Sequence, residues 1–234
     1  CATPILIGIL SVIAMNGNPL GNSTLAHTEP LIDALQGPEP ALLVRAEDVL
    51  LVWIDSTEGK GDLYGRRMSL TGTLLDERAL VRAAADPSRD NDPRLHGAPD
   101  GRFVLTWFGG ETNCAYPHFR LFGSDGQPET GDLTLTDQDI GVVSRAGTAL
   151  ALPGDGWLLA WSDDRTLSLQ VYLRRIAADG SPNGPTTVAW SVPASSSQLL
   201  PDVALLPEGR AVVAWGDLRN GTFNIFTRLL DRDG

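Results

Sequence analysis

Four short apolar runs, VLLVW (49–53), FVLTW (103–107), WLLAW (157–161) and AVVAW (211–215), each end in tryptophan, and Trp53, Trp107, Trp161 and Trp215 recur every 54 residues. A glycine follows each at a constant 19 residues: Gly72, Gly126, Gly180 and Gly234. The interval admits no insertion or deletion, so the chain is a duplicated unit, and repeats of this length mark stacked or radial architectures. Before each run lies a turn signal, PDGR (99–102), GDGW (154–157), PEGR (207–210) and the weaker RAED (45–48).

Outward from the tryptophan run, each unit reads as four strands. The first precedes the turn: ALLVR (41–45), PRLHG (93–97), TALAL (148–152) and PDVAL (201–205). The tryptophan run is the second. The third is LYGRRMSL (63–70), HFRLFGS (118–124), VYLRRIAA (171–178) or IFTRLLD (225–231), and a DG, TG or NG turn leads to a fourth such as TTVAWSV (186–192). Short, evenly spaced strands with Gly, Asp and Pro turns indicate an all-β domain. The second strand is apolar at consecutive positions, which predicts that both of its faces are buried. Four strands per unit, repeated radially, describe a β-propeller blade. Helical repeats would need a 3.6-residue period, which is missing, and a sandwich gives no reason for an exact recurrence.

One β-propeller domain over 1–234 is therefore expected, with units at 39–92, 93–146, 147–200, and 201–234 plus 1–38. Residues 13–21 (IAMNGNPLG) align with 176–184 (IAADGSPNG), so the first unit opens at a third strand. Two arrangements satisfy this: a closed four-bladed ring using 18–27 as a clasp, or an arc of a larger ring. A hairpin centred on the loop after each tryptophan predicts that Trp53 faces Tyr64, Trp107 faces His118, Trp161 faces Tyr172 and Trp215 faces Phe226. Arg66, Arg120, Arg174 and Arg228, thirteen residues after the tryptophans, recur in every unit and are read as scaffold.

The chain is 42% apolar, as expected of a protein with a buried core, and carries a formal charge of −11. Without a basic run it lacks the footprint that nucleic acid or an anionic membrane requires. Cys1 and Cys114 lack the spacing of a zinc site. Cys1 reads either as the lipid-bearing first residue of a bacterial lipoprotein or as an arbitrary start, with a disulfide to Cys114 as a third possibility. The apolar run from Pro4 to Met15 is too short to span a bilayer as a helix.

Function is expected in the loops between second and third strands, which diverge while the strands do not. They read IDSTEGKGD (54–62), FGGETNCAY (108–116), SDDRTLSLQ (162–170) and GDLRNGTFN (216–224). The candidate binding residues there are Asp55, Glu58, Asp62, Glu111, Asp163, Asp164, Arg165, Asp217 and Arg219. Phosphate-cradling, dinucleotide, nucleophile-elbow and zincin motifs are missing, and the three histidines occupy dissimilar repeat positions, so no cofactor, metal or catalytic triad is assigned. The SDG, ADG and DRDG turns are explained as hairpin turns without calcium.

WSDDR (161–165), VYLRRIAADG (171–180), WGDLR (215–219) and LYGRRMSLTG (63–72) resemble the propeller-like tandem repeats of secreted proteins and lipoproteins from myxobacteria and related GC-rich bacteria. The second unit departs from that pattern at WFGGE (107–111). The resemblance implies a scaffold outside the cytoplasm, secreted or at the cell surface, touching a membrane only through a lipid on Cys1. The favoured functional reading is a non-catalytic binding or assembly scaffold presenting its loop face to a protein or glycan partner; the alternative is a propeller-fold carbohydrate-active hydrolase or lyase using loop carboxylates.

Overall fold

The computed structural model describes residues 9–10, 24–25, 40–55, 61–77, 79–82, 91–109, 116–135, 144–154, 156–166, 168–190 and 196–231. Its strands are β1 (Ile9–Leu10), β2 (Thr24–Leu25), β3 (Ala41–Val44), β4 (Asp48–Asp55), β5 (Asp62–Ser69), β6 (Ala79–Arg82), β7 (Asn91–Gly97), β8 (Phe103–Gly109) and β9 (Tyr116–Phe122). They continue as β10 (Leu133–Thr134), β11 (Ser144–Leu152), β12 (Gly156–Asp163), β13 (Gln170–Ala177), β14 (Thr187–Val188), β15 (Gln198–Leu205), β16 (Ala211–Asp217) and β17 (Asn224–Leu230). The paired strands run antiparallel wherever their register is defined, and the strands form sheets β3-β4-β5-β6, β7-β8-β9-β10, β11-β12-β13-β14 and β15-β16-β17, one per repeat, plus the pair β1-β2. The fold is an all-β propeller built of consecutive meander blades. Thr24–Leu25, inside the segment that a closed ring would use as its clasp, pairs with Ile9–Leu10. The remainder of 18–27 lies outside the described residues.

The chain divides into two compact units, Cys1–Pro93 and Arg94–Gly234. In the first, Leu51 and Trp53 form a small core with Tyr64 against it. In the second, the middle blade is buried on both sides, as its unbroken apolar run predicts. Leu159, Trp161, Tyr172 and Ile176 pack against Val104, Phe108, Phe119 and Leu121 of the preceding blade. Leu158, Ala160, Val171 and Leu173 pack against Ala211, Val213, Trp215 and Leu230 of the following one. Alternation along β12 thus sends odd and even residues into two different inter-blade cores.

The four predicted pairs are all present: Trp53↔Tyr64, Trp107↔His118, Trp161↔Tyr172 and Trp215↔Phe226 are register partners. Each is a ring stack, the tightest being Trp107 on His118 with centroids 5.5 Å apart. His118 also meets the carbonyl of Gly109 at 3.2 Å, so it is packed in the aromatic slot of the repeat.

The fourth strands are shorter than the sequence implies. Within TTVAWSV, Thr187 and Val188 are the register partners of β13 among the described residues, and the Ala189 N–H adds one bond to the Val171 carbonyl at 2.8 Å. Pro185, which has no N–H, precedes them, and an outermost strand gains ladder bonds on one side only. The third-to-fourth turns are uniform: Gly72, Gly126 and Gly180 have φ of 91°, 81° and 84°, and each donates its N–H to the carbonyl three residues earlier. In the latter two, Asp125 and Asp179 accept hydrogen bonds from the N–H groups of Gln127 and Ser181, both at 2.9 Å. Those acids close turns.

Candidate functional site

The second strand ends on the residue type that the loop analysis selected. Alternation puts the aspartate two residues after each tryptophan on the tryptophan's own face, and Asp55, Asp163 and Asp217 are 2%, 0% and 0% exposed. A carboxylate this deep must be compensated or it would not stay ionised.

In the third repeat compensation is complete. Asp163 accepts from the Trp161 indole N–H at 2.8 Å, from the Arg165 backbone N–H at 3.1 Å, and from the Arg165 guanidinium through Nε at 2.9 Å and Nη2 at 2.6 Å. The guanidinium lies 4.1 Å from the centre of the Tyr172 ring, so its other side is covered by the aromatic partner of Trp161. The fourth repeat copies this with Asp217, Trp215 (3.1 Å), Arg219 and Phe226, whose ring is 4.0 Å from the Arg219 guanidinium. Ser196 at 3.2 Å and Gln198 at 3.1 Å add two further donors to Asp217. Burial opposes ionisation of Asp217, but the hydrogen bonds from Arg219, Trp215 and Gln198 outweigh it and hold the carboxyl far below the usual carboxylate range. Asp163, Arg165, Asp217 and Arg219 are therefore the interior of a Trp–Asp–Arg–aromatic staple that locks the hairpin loop to its blade.

Gln198 was not among the sequence candidates. Fully buried, it donates to Asp217 and to the Trp190 carbonyl and accepts from the Val171 N–H. It stands where the preceding repeat has Ser144, so the repeat pattern gave no signal for it.

The first repeat breaks the staple. The arginine four residues after the tryptophan, Arg165 or Arg219 elsewhere, is Thr57 here and Glu111 in the second repeat. The residue facing the aspartate also changes. Asp163 is opposite Gln170 and Asp217 is opposite Asn224, whereas Asp55 is opposite a second carboxylate, Asp62, itself 7% exposed. The structure thus brings Asp55 and Asp62 together at the loop end of one blade and ties Asp163 and Asp217 into two others. Asp164 is half-buried beside the staple. Glu58 and Glu111, like Cys1 and Cys114, lie outside the described residues.

A blade array with an acidic, loop-bearing end is the class that fold and site define. No protein-family model and no curated protein matches the sequence. Among solved structures the chain is similar to an α-L-arabinanase from Penicillium chrysogenum complexed with arabinobiose, with a TM-score of 0.62, 16% identity, and 86% of this chain and 65% of that one covered. An α-L-arabinofuranosidase from Fusarium graminearum in complex with an iminosugar inhibitor gives 0.61, 12%, 86% and 64%. An endo-arabinase from Bacteroides thetaiotaomicron gives 0.54, 15%, 86% and 78%. The chain spans slightly less than two thirds of the first two proteins. At these identities the shared property is the fold.

Proposed function

We propose that the chain is a carbohydrate-active β-propeller, a glycoside hydrolase or lyase acting on a polysaccharide through carboxylates on the hairpin-loop end of its blades. The observation that carries this reading is the facing pair Asp55 and Asp62 on a fold similar to arabinan-degrading enzymes. Residues directly opposite across an antiparallel pair have Cβ atoms about 4.5 to 5.5 Å apart. That spacing is compatible with the roughly 5 to 9.5 Å between the two carboxyl groups of glycosidases. In this role Asp55 and Asp62 are the two carboxyl groups that act on the glycosidic bond. The test is release of reducing ends from linear arabinan, xylan and homogalacturonan, compared between the wild type and Asp62→Asn.

A second reading has its own support. Asp163 and Asp217 are saturated by intramolecular donors, so two of the seven predicted loop carboxylates serve architecture. A scaffold that binds glycan without cleaving it would retain polysaccharide in affinity electrophoresis and release no reducing ends.

A further inference from the structure

A cavity of about 360 Å³ opens between the third and fourth blades, lined by Arg174, Arg175, Asn183, Gly184, Thr187 and Arg228 among others. No carboxylate lines it among the described residues, in a protein of formal charge −11. Comparison across the repeats accounts for both the space and its charge. Between the second and third blades the same wedge is filled: a Cβ placed on Gly180 would lie 2.5 Å from the Leu133 side chain and 3.2 Å from that of Thr130. One repeat later Leu133 is replaced by Thr187, Thr130 by Gly184, and the buried Leu121 by Arg175.

Arg175 also stands at the repeat position of Arg67. There the guanidinium is neutralised internally, by Asp76 at 2.7 Å and Asp48 at 3.8 Å. Two repeats on, the equivalents of Asp76 and Asp48 are Gly184 and Gly156. Gly184 has φ of 102° and open space where a Cβ would sit. Arg175 therefore keeps its charge and loses both carboxylates. Among the described residues it donates only to the backbone carbonyl of Asp231, at 3.2 Å, and its Nε is a buried donor with no hydrogen-bond partner there. Arg228 reaches in the opposite direction, from the fourth blade to the Ala189 carbonyl at 2.6 Å, and makes no ion pair among the described residues. Two guanidinium groups held at a cavity by neutral carbonyls leave their remaining N–H forks for a ligand, and the planar fork matches a carboxylate.

We propose that this inter-blade cavity is an anion-binding site for a carboxylate-bearing ligand, which Arg175 and Arg228 grip in place of the carboxylates the repeat has lost. The carboxylate comes either from a free organic acid or from a uronate sugar. The site is distinct from the hairpin-loop carboxylates, and its test does not depend on hydrolysis.

Binding is measured by titration calorimetry on the whole chain with malonate, D-galacturonate and, as the neutral control, D-galactose. Saturable binding of both acids and none of galactose supports the site and shows that a free acid suffices. Binding of galacturonate alone supports it with a sugar-borne carboxylate. Arg175→Leu, which installs the residue the second repeat carries there, and Arg228→Gln should each weaken binding by about ten-fold or more, as expected for loss of a charge-assisted hydrogen bond. If neither acid binds the wild type, or if both variants bind as tightly as it does, the proposal is wrong.

Discussion

The indole Nε1 of Trp161 donates a 2.8 Å hydrogen bond to the carboxylate of Asp163, two residues along the same strand. Strand alternation makes that contact geometrically natural, and the same contact recurs between Trp215 and Asp217 at 3.1 Å. The buried aspartate is therefore an anchor for its neighbours on both sides, the indole before it and the arginine after it.

Removing that anchor leaves a buried guanidinium and an indole N–H without their acceptor. Asp163→Ala should cost about 3 to 5 kcal/mol of unfolding free energy, the range for breaking one partner of a buried pair. Urea unfolding of the variant against the wild type checks this.

Arg165→Lys should not be a conservative change. An ammonium cannot cover the Tyr172 ring as the guanidinium does at 4.1 Å, nor bind both oxygens of Asp163. A loss of about 1 to 2 kcal/mol is expected from the stack and the second hydrogen bond. It is read from the same denaturation curves.

How much of this was legible in the sequence differs by element. The four aromatic pairs followed from the constant spacing of Trp53, Trp107, Trp161 and Trp215, because a hairpin of fixed length leaves one register. The staple was half legible: WxDxR recurs, yet the pattern alone does not distinguish a carboxylate turned to solvent from one folded under its own arginine. Gln198 was not legible: it is the register partner of Asp217 as Ser144 is of Asp163, and only the change of residue type at that repeat position creates the contact. The anion cavity was written in the sequence as departures from the repeat, Leu121 to Arg175 and Asp76 to Gly184. Those departures acquire meaning only once the residues are known to meet between blades.

Stability should fall on mild acidification through His96. Burial, aided by nearby Arg94 and opposed by Asp202, pushes its pKa down from 6.5 to about 4. The unfolded chain then binds the proton more readily than the folded one, so stability is full above about pH 6.5 and declines as pH drops toward 4. Asp217 acts in a lower window: its depressed pKa contributes stability that is lost only as pH falls below its ordinary 3.8. His96→Gln should flatten the melting temperature between pH 6.5 and 4 and leave the lower limb intact.

Leu200 offers a gain. It adopts φ of 53° at the irregularity in β15 and is 67% exposed, so it carries left-handed strain with little packing in return. Leu200→Gly should raise stability by about 1 kcal/mol, visible as a higher melting temperature.

The central claim is that carboxylates of the first repeat do chemistry while those of the third hold the blade together. The direct measurement is reducing-end release from linear arabinan by the wild type, Asp62→Asn and Asp163→Asn, with the melting temperature of each. The account predicts that Asp62→Asn stays folded and loses about 100-fold or more in rate, in line with removal of one member of an acid–base pair, while Asp163→Asn melts lower and its rate per folded molecule is retained. An Asp62→Asn variant as active as the wild type, or a folded wild type that releases nothing from arabinan, xylan or homogalacturonan, would contradict it.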